Sequence, residues 1–141
     1  MFALLLLQSC GRLARAPATS GTPSLVADAT QFLDGEAWVV TGGSAGHTIS
    51  CPGSVPGDLI TDLERAGLIG DPLYELNFLS PLWDRSNFSY STTFVLEPAV
   101  AAQHQLLLTL DGVKMVADIS VNNHSLGYVD NAFLRFTYLF Q

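Results

Sequence analysis

The stretch Phe88-Ser89-Tyr90-Ser91-Thr92-Thr93-Phe94-Val95-Leu96 decides the fold class of this chain. The larger side chains stand at every second position, and the residues between them are Ser89, Ser91, Thr93 and Val95. Aromatic and β-branched side chains are frequent. A period of two places alternate side chains on opposite faces of a β-strand. The stretch therefore predicts a strand, and it is the longest strand signal in the sequence.

Shorter segments with the same alternation follow toward the C-terminus, separated by turn residues such as Asp111-Gly112 and Asn122–Ser125. Glycine and asparagine tolerate the positive φ angles that tight turns need. Each segment is therefore predicted to be a strand, and the predicted strands are Leu106–Leu110, Ala117–Val121, Leu126–Val129 and Phe133–Tyr138.

Before this run, the sequence predicts a turn and a strand over Phe32–Val40 and a flexible loop over Thr41–Gly46. Pro52–Gly57 can be neither helix nor central strand, because proline lacks a backbone N–H. A helix of about two turns is predicted between an N-cap at Asp58 and a left-handed C-cap at Gly67.

The segment Leu73–Asp84 is apolar and aromatic without a regular period, and we interpret it as an ordered loop. Strands spaced by about eight to twelve residues after a single helix are typical of an all-β sandwich. A jelly roll needs about eight strands. Since the sequence shows five or six, we expect the sandwich to be incomplete.

The 141 residues carry a net charge of -7, with 48% hydrophobic and 13% charged residues. This composition supports one folded domain and disfavours nucleic acid and anionic membranes as partners. We assign residues 31–141 to the β-sandwich and residues 1–30 to a leader and linker. A leader is one of two interpretations of the N-terminus, and a frayed terminus is the other. The choice stays open because the basic residues Arg12 and Arg15 follow the apolar run Met1–Leu7 instead of preceding it.

The cysteine and histidine residues are too far apart to suggest a metal site, since ligand pairs normally recur at short spacings. The pair Cys10 and Cys51 gives no disulfide framework, and we interpret Cys51 as a buried structural thiol. No metal and no cofactor are expected.

Several short motifs occur in an order that resembles a known family: Val55-Pro56-Gly57-Asp58, Asp71-Pro72-Leu73-Tyr74, Phe88–Phe94, Leu108–Val113 and Asp130–Phe136. Together they resemble the N-terminal, galactose-binding-like jelly-roll domain of glycoside hydrolase family 2, of the β-mannosidase type. The chain departs from the family pattern at Phe88, where Trp is usual, and around Gly42-Gly43.

The resemblance implies a retaining glycosidase that acts on terminal β-D-mannose through two glutamates of a separate barrel, one of which follows an asparagine. None of Glu36, Glu64, Glu75 and Glu97 follows an asparagine, and the chain is too short for a barrel of about 250 residues. We therefore expect a non-catalytic domain that packs on the barrel, with a β-linked mannoside or related glycan as ligand of the full-length enzyme. The alternatives are a stand-alone carbohydrate-binding module and a truncated product without independent function.

Two patches are candidates for contact with sugar. Asp130 and Asn131, followed by the aromatic Phe133, could bind hydroxyl groups, or they could simply bond their own backbone in a turn. Tyr74, Asn77 and Trp83 could stack on and bind a pyranose, or they could belong to a loop that packs on the barrel. We interpret the other acidic pairs, Asp62 with Glu64 and Asp111 with Asp118, as surface residues.

Asn87-Phe88-Ser89 and Asn123-His124-Ser125 both match the acceptor motif for N-glycosylation. They predict glycosylation at Asn87 and Asn123 if the chain enters the secretory pathway. A secreted or lysosomal location would follow if the leader is real.

Overall fold

The computed structural model describes residues 2–9, 29–44, 47–79, 82, 86–103, 105–114 and 116–140. Strands dominate these residues, so the prediction of an all-β fold is confirmed. The strands are β1 (Phe2–Ser9), β2 (Gly35–Ser44), β3 (His47–Val55), β4 (Asn87–Phe94), β5 (Leu106–Asp111), β6 (Val116–Val121), β7 (His124–Val129) and β8 (Arg135–Phe140). The helices are α1 (Leu59–Arg65), α2 (Pro98–Ala101) and a 3-10 turn at Asn77–Leu79.

The strands form a six-stranded sheet with the order β3-β2-β4-β1-β6-β7 and a two-stranded sheet made of β5 and β8. The pairs β2–β3, β2–β4, β6–β7 and β5–β8 are antiparallel, whereas β1 runs parallel to both of its neighbours, β4 and β6. The register aligns Leu5 with Tyr90 on one side and with Ile119 on the other. The large sheet thus depends on β1 to join its two halves.

Strand β1 lies within residues 1–30, which the sequence led us to assign to a leader and linker. The apolar run at the N-terminus suggested a leader because it shows no alternation. A strand that is buried on both faces is also a continuous apolar run, so a strand and a leader can look alike in a sequence. A strand in the folded chain does not test targeting, and the leader and linker assignment of residues 1–30 stays a prediction.

Two clusters of buried side chains hold the layers together. Trp38, Ile119 and Val129 of the large sheet pack with Leu108 of β5, so the two sheets face each other as in a sandwich. The second cluster lies between α1 and the strands β2, β3 and β4, and it contains Val40, Cys51, Leu59, Leu63 and Phe88. Burying a large aliphatic or aromatic side chain contributes about 1.5–3 kcal/mol, which makes these clusters the main source of stability.

Helix α1 begins and ends where the sequence predicted. The Asp58 carboxylate accepts hydrogen bonds from the backbone N–H groups of Ile60 and Thr61, at 3.0 and 3.1 Å. Gly67 follows the helix with φ at +69°, which a residue with a side chain adopts only with strain. The Leu68 N–H then donates to the Leu63 carbonyl at 3.0 Å and closes the C-terminus.

The structure corrects the prediction of a flexible loop at Thr41–Gly46, because β2 continues to Ser44. Gly42 and Gly43 pair with Phe88 and Asn87 of β4. A Cβ at Gly42 would overlap the Asn87 carbonyl oxygen and the Phe88 ring, so the glycine allows close approach of two strands.

Strand β3 and the short helix α2 are not apparent from the sequence pattern. Strand β3 contains Pro52 and Gly53, and it lies at the edge of the large sheet, where proline is tolerated. This position agrees with the prediction that Pro52–Gly57 cannot form a central strand.

Candidate functional site

The loop that carries Tyr74 and Asn77 is held by its own polar groups. The Asp71 carboxylate accepts from the Leu73 N–H at 2.8 Å, and the Asp71 carbonyl accepts from the Asn77 side-chain amide at 2.9 Å. Backbone hydrogen bonds at Tyr74, Asn77 and Leu79 extend this order. Asn77 is therefore used within the loop through its side-chain N–H group.

Apolar side chains on this loop point to the outside. Leu73 is 94% exposed, and Leu68, Tyr74, Leu76 and Leu79 are exposed as well. A contiguous exposed apolar surface is typical of an interaction site, whereas single exposed apolar residues are common on any protein. We call these five residues the 68–79 ridge. Trp83, the third residue of the predicted sugar-binding patch, lies outside the described residues.

The second predicted patch lies in the turn between β7 and β8. The side-chain oxygen of Asn131 accepts from the Phe133 N–H at 2.9 Å, so Asn131 bonds its own backbone in this turn. Asp130 is exposed, and the Phe133 ring is 97% exposed. The turn thus presents a carboxylate and an aromatic ring to solvent. Their role as sugar ligands stays a prediction, and the same holds for Tyr74, Asn77 and Trp83.

The charged residues next to this turn form a surface ion pair. The Arg135 guanidinium donates to both carboxylate oxygens of Asp111, with its Nη2 at 3.1 Å from Oδ2. The hydrogen bonds and the negative charge of Asp111 raise the pKa of Arg135. The two residues face each other across β5 and β8, and both are well exposed. An exposed pair of this kind contributes little stability, because solvent screens the two charges.

The prediction that Asp62 lies on the surface is wrong. Asp62 lies on the buried face of α1 and is completely buried, while Glu64 is exposed, because two residues spaced by two on a helix point in different directions. Tyr90 donates its hydroxyl to Asp62 Oδ2 at 2.8 Å. Asp62 also accepts from the Ser54 hydroxyl at 3.2 Å and forms an ion pair with Arg65 at 3.2 Å.

A helical signal could have identified this buried carboxylate. Asp62 lies three residues after Leu59 and next to Leu63, the two apolar residues that anchor α1 in the core. Residues three or four apart share a helix face, so Asp62 belongs to the apolar face. A charge in that position must be satisfied by partners in the core, and Tyr90 supplies one.

The buried carboxylate changes the acidity of its neighbours. Burial raises the pKa of Tyr90, and the hydrogen bond to Asp62 raises it further. Burial also raises the pKa of the Cys51 thiol, with a smaller contribution from the Asp62 charge. A thiol of raised pKa is a poor nucleophile. Cys51 is buried and free, and it packs in the second core cluster with Val40 and Leu63.

Within the described residues, no group of three or more His, Cys, Asp or Glu side chains is placed to hold a metal ion. Among the same residues, no helix is long and apolar enough to cross a membrane. Each of the two loop patches has a hydrogen bond of its own asparagine within its own turn.

The fold and the loops define a class of protein: a β-sandwich domain with polar and aromatic side chains on its connecting loops. The family described as "glycosyl hydrolase 2 galactose-binding domain-like" matches residues 38–140. The chain belongs to this family.

The similar proteins are β-mannosidases. The chain is 34% identical to a rat β-mannosidase over 122 residues, which cover 86% of the chain and 14% of that protein. It is 34% identical to a mouse β-mannosidase over 115 residues, or 81% of the chain and 13% of that protein. A β-mannosidase A from Aspergillus flavus is 32% identical over 80 residues, which cover 56% of the chain and 8% of that protein. The chain therefore spans about one seventh or less of the length of these relatives. No solved structure matches the chain.

Proposed function

We propose that the chain serves as the non-catalytic β-sandwich part of a β-mannosidase-type glycoside hydrolase, whose full-length form hydrolyses terminal β-D-mannose residues. The observation that supports this proposal is the match to a rat β-mannosidase, which covers 86% of this chain but only 14% of that protein. Most of the relative's length, and with it room for a catalytic barrel, lies outside the matched region.

We further propose that the 68–79 ridge packs on the catalytic part of such an enzyme. The ridge presents Leu73, Tyr74 and Leu76 to solvent, on a loop whose backbone is fixed by Asp71 and Asn77. A rigid apolar surface loses little conformational entropy when it is covered, so burying it on a neighbouring domain is favourable. A loop that only connected β3 and β4 would gain nothing from outward leucines.

A chimera tests this proposal. Residues 38–140 replace the matching segment of the rat β-mannosidase, and hydrolysis of an aryl β-mannoside and the thermal midpoint are measured. The double variant Leu73→Ser/Leu76→Ser is expected to lower the thermal midpoint and the activity of the chimera. The same substitutions in the 141-residue chain should leave its unfolding free energy within about 0.5 kcal/mol, because both residues are exposed there.

Val95→Ser is the matched control, since Val95 is exposed and follows the end of β4, so that it is not one of the residues of the 68–79 ridge. The control should not affect the chimera. Equal behaviour of the ridge variant and the control would disprove packing through the ridge. Hydrolysis of the aryl β-mannoside by the 141-residue chain alone would disprove the non-catalytic role.

Glycan binding by the isolated domain is the second candidate function, and the exposure of Phe133 beside Asp130 favours it. An exposed aromatic ring next to a carboxylate can stack on a sugar and bind its hydroxyl groups. Titration calorimetry with methyl β-D-mannoside should then give heat that Phe133→Ala abolishes. No heat with this and other β-linked glycosides would count against a stand-alone binding module.

A truncated product without independent function makes a different prediction. Its unfolding would lack a cooperative transition, whereas a folded domain melts cooperatively. Circular dichroism during heating distinguishes the two.

We also propose that the chain enters the secretory pathway through its N-terminal residues and reaches a secreted or lysosomal location. The apolar run Met1–Leu7 and the two sequons support this route. Fusion of residues 1–30 to a reporter protein tests it, because secretion of the reporter requires a functional leader.

A further inference from the structure

Among the described residues, the strands of the large sheet alternate in direction everywhere except around β1. On one side of β1, the strands β3, β2 and β4 alternate, and on the other side β6 and β7 do. Because β1 is parallel to both β4 and β6, those two strands run in the same direction and stand one strand apart. We call the space between β4 and β6 the central slot. A strand that ran opposite to β1 in this slot would make the whole sheet antiparallel.

The two faces of the central slot differ in polarity. Tyr90 of β4 and Ile119 of β6 share one register position and pack in the core that joins the two sheets. One position earlier, the register places the polar residues Ser89 and Asp118 level with Leu4 of β1. An alternating strand, with one apolar and one polar face, suits such walls. The sequence of β1 does not alternate, because leucine occupies all four positions from 4 to 7.

Strand β8 finishes at the end of the sandwich from which an antiparallel strand would enter the slot. Only residues 112–115 join β5 to β6, so β5 begins at the end where β6 finishes. Strand β8 is antiparallel to β5, and Phe140 pairs with Leu106, the first residue of β5. Strands β4, β6 and β8 therefore finish at the same end. A strand that followed β8 along the chain would start there and run opposite to both walls of the slot.

We propose that the central slot binds one strand of the full-length enzyme, which the residues after position 141 supply and which runs antiparallel to β4 and β6. Strand β1 is then a replaceable occupant of this site. The proposal rests on the proposed function, in which this chain is one part of a longer enzyme, since the match covers only 14% of the rat β-mannosidase. The exchange is favourable because parallel pairing is slightly less stable per residue than antiparallel pairing.

The test compares two extended forms of the whole 141-residue chain. One form carries about 20 further residues at its C-terminus, enough for a connection and one strand. They are copied from the rat β-mannosidase, directly after its matched segment. The matched control carries a Gly-Ser extension of the same length, which stays flexible. Hydrogen exchange with mass spectrometry then follows the amides of β1, β4, β6 and the extension.

With the rat extension, the amides of Phe2–Ser9 should exchange at least about tenfold faster than in the control, because a strand outside the sheet loses its protection. The amides of the extension should become protected, and those of β4 and β6 should stay protected. Magnetic resonance contacts between opposing Hα protons, which are typical of antiparallel pairs, should join the extension to both walls of the slot.

Leu5→Pro supplies a second measurement. It should lower the denaturation midpoint of the Gly-Ser control but not that of the rat-extended chain, in which β1 has left the sheet. Protected β1 amides in the rat-extended chain, an extension that exchanges as fast as Gly-Ser, or Hα contacts with only one wall each overturn the proposal. None of these measurements involves hydrolysis or the 68–79 ridge, so the failure of this proposal is distinguishable from the failure of the proposed function.

Discussion

At the scale of single residues, the buried carboxyl group of Asp62 needs partners inside the protein. An ionised group without partners in the core would cost several kcal/mol, so its neighbours must supply hydrogen bonds. Tyr90 lies on the central strand β4, Ser54 on the edge strand β3 and Arg65 on α1. One carboxylate therefore ties a helix to two strands that are distant in sequence.

Tyr90→Phe tests how much the shortest of these hydrogen bonds contributes. The substitution leaves Asp62 buried with one partner fewer, and we expect the unfolding free energy to fall by about 1–3 kcal/mol. Chemical denaturation at neutral pH measures the change. The raised pKa of Tyr90 adds a pH signature: the phenol's contribution is complete below pH 10.0, its ordinary value, and declines as the pH rises above it. The Phe variant should lack this alkaline decline.

Tyr128→Phe is the matched control, because Tyr128 is 62% exposed and only its backbone carbonyl accepts the hydroxyl of Tyr138. Its effect should stay within about 0.5 kcal/mol. The double variant Tyr90→Phe/Asp62→Asn should cost less than the sum of the two single changes, since they share one hydrogen bond. Additive costs would show that the two side chains do not stabilise the fold through each other.

At the scale of elements, Asp58 caps the N-terminus of α1 with both a charge and hydrogen bonds, and substitutions can separate the contributions of the two. Desolvation opposes ionisation of Asp58, but hydrogen bonds from Thr61 and Ile60 outweigh it and lower its pKa. Asp58→Ala removes these bonds and should lower the unfolding free energy by about 1 kcal/mol. Asp58→Asn keeps a good cap and should change it little.

The lowered pKa fixes the direction of the pH dependence. The charge of Asp58 contributes stability above pH 3.8, its ordinary pKa, and this contribution is lost as the pH falls through the lower pKa of the folded state. As the pH falls, the wild type should therefore lose stability relative to the Asp58→Asn variant. Denaturation curves of both proteins from pH 7 to pH 2 measure it. A difference that stays constant over this range would contradict a lowered pKa.

The contact between β2 and β4 gives a second prediction for an element. Gly42→Ala places a methyl group against the Asn87 carbonyl and the Phe88 ring, neither of which can move without disturbing the sheet. We expect a loss of about 1–3 kcal/mol, as for other overpacked sites. Thr48→Ala, at an exposed position of the edge strand β3, should remain within about 0.5 kcal/mol of the wild type. An unchanged Gly42→Ala protein would contradict close packing of β2 on β4.

Local patterns explain which elements could be predicted from the sequence. Strands β4 to β8 alternate and are bounded by turn residues, and α1 has caps at Asp58 and Gly67, so each was found within a few residues. Strand β3 carries Pro52, which an edge position tolerates, and an edge is a property of the sheet. The order of the strands in a sheet depends on contacts between distant parts of the chain, so no local sequence pattern encodes it.

The candidate site was less predictable than the fold. The exposed Phe133 and the ridge at Leu73 and Leu76 follow from which faces the core leaves uncovered, and this requires the folded chain. Asn77 and Asn131 carried a sugar-binding prediction, yet each also has a hydrogen bond within its own turn. Residue type alone does not distinguish these roles, because an amide serves a sugar and a backbone equally well.

At the scale of the whole molecule, β1 raises a question about maturation. It joins β4 to β6 in the large sheet, and residues 10–34 separate it from β2 along the chain. The predicted leader and linker, residues 1–30, include β1. Cleavage of a leader after β1 would remove the strand and leave β4 and β6 each with an open edge, so the processed and unprocessed chains must differ in stability.

Deletion of residues 1–28 imitates this processing. We expect the shortened chain to unfold at a lower denaturant concentration and to self-associate, because two strand edges lose their backbone partners. Leu5→Pro in the intact chain should have the same direction of effect and cost at least about 1 kcal/mol, since proline cannot donate to either neighbouring strand. Hydrogen exchange should show protected amides within Phe2–Ser9 in the wild type and a loss of this protection in the Leu5→Pro variant. Equal denaturation midpoints for all three proteins would show that β1 adds nothing to the sheet. N-terminal sequencing of the secreted chain then identifies which form the cell retains.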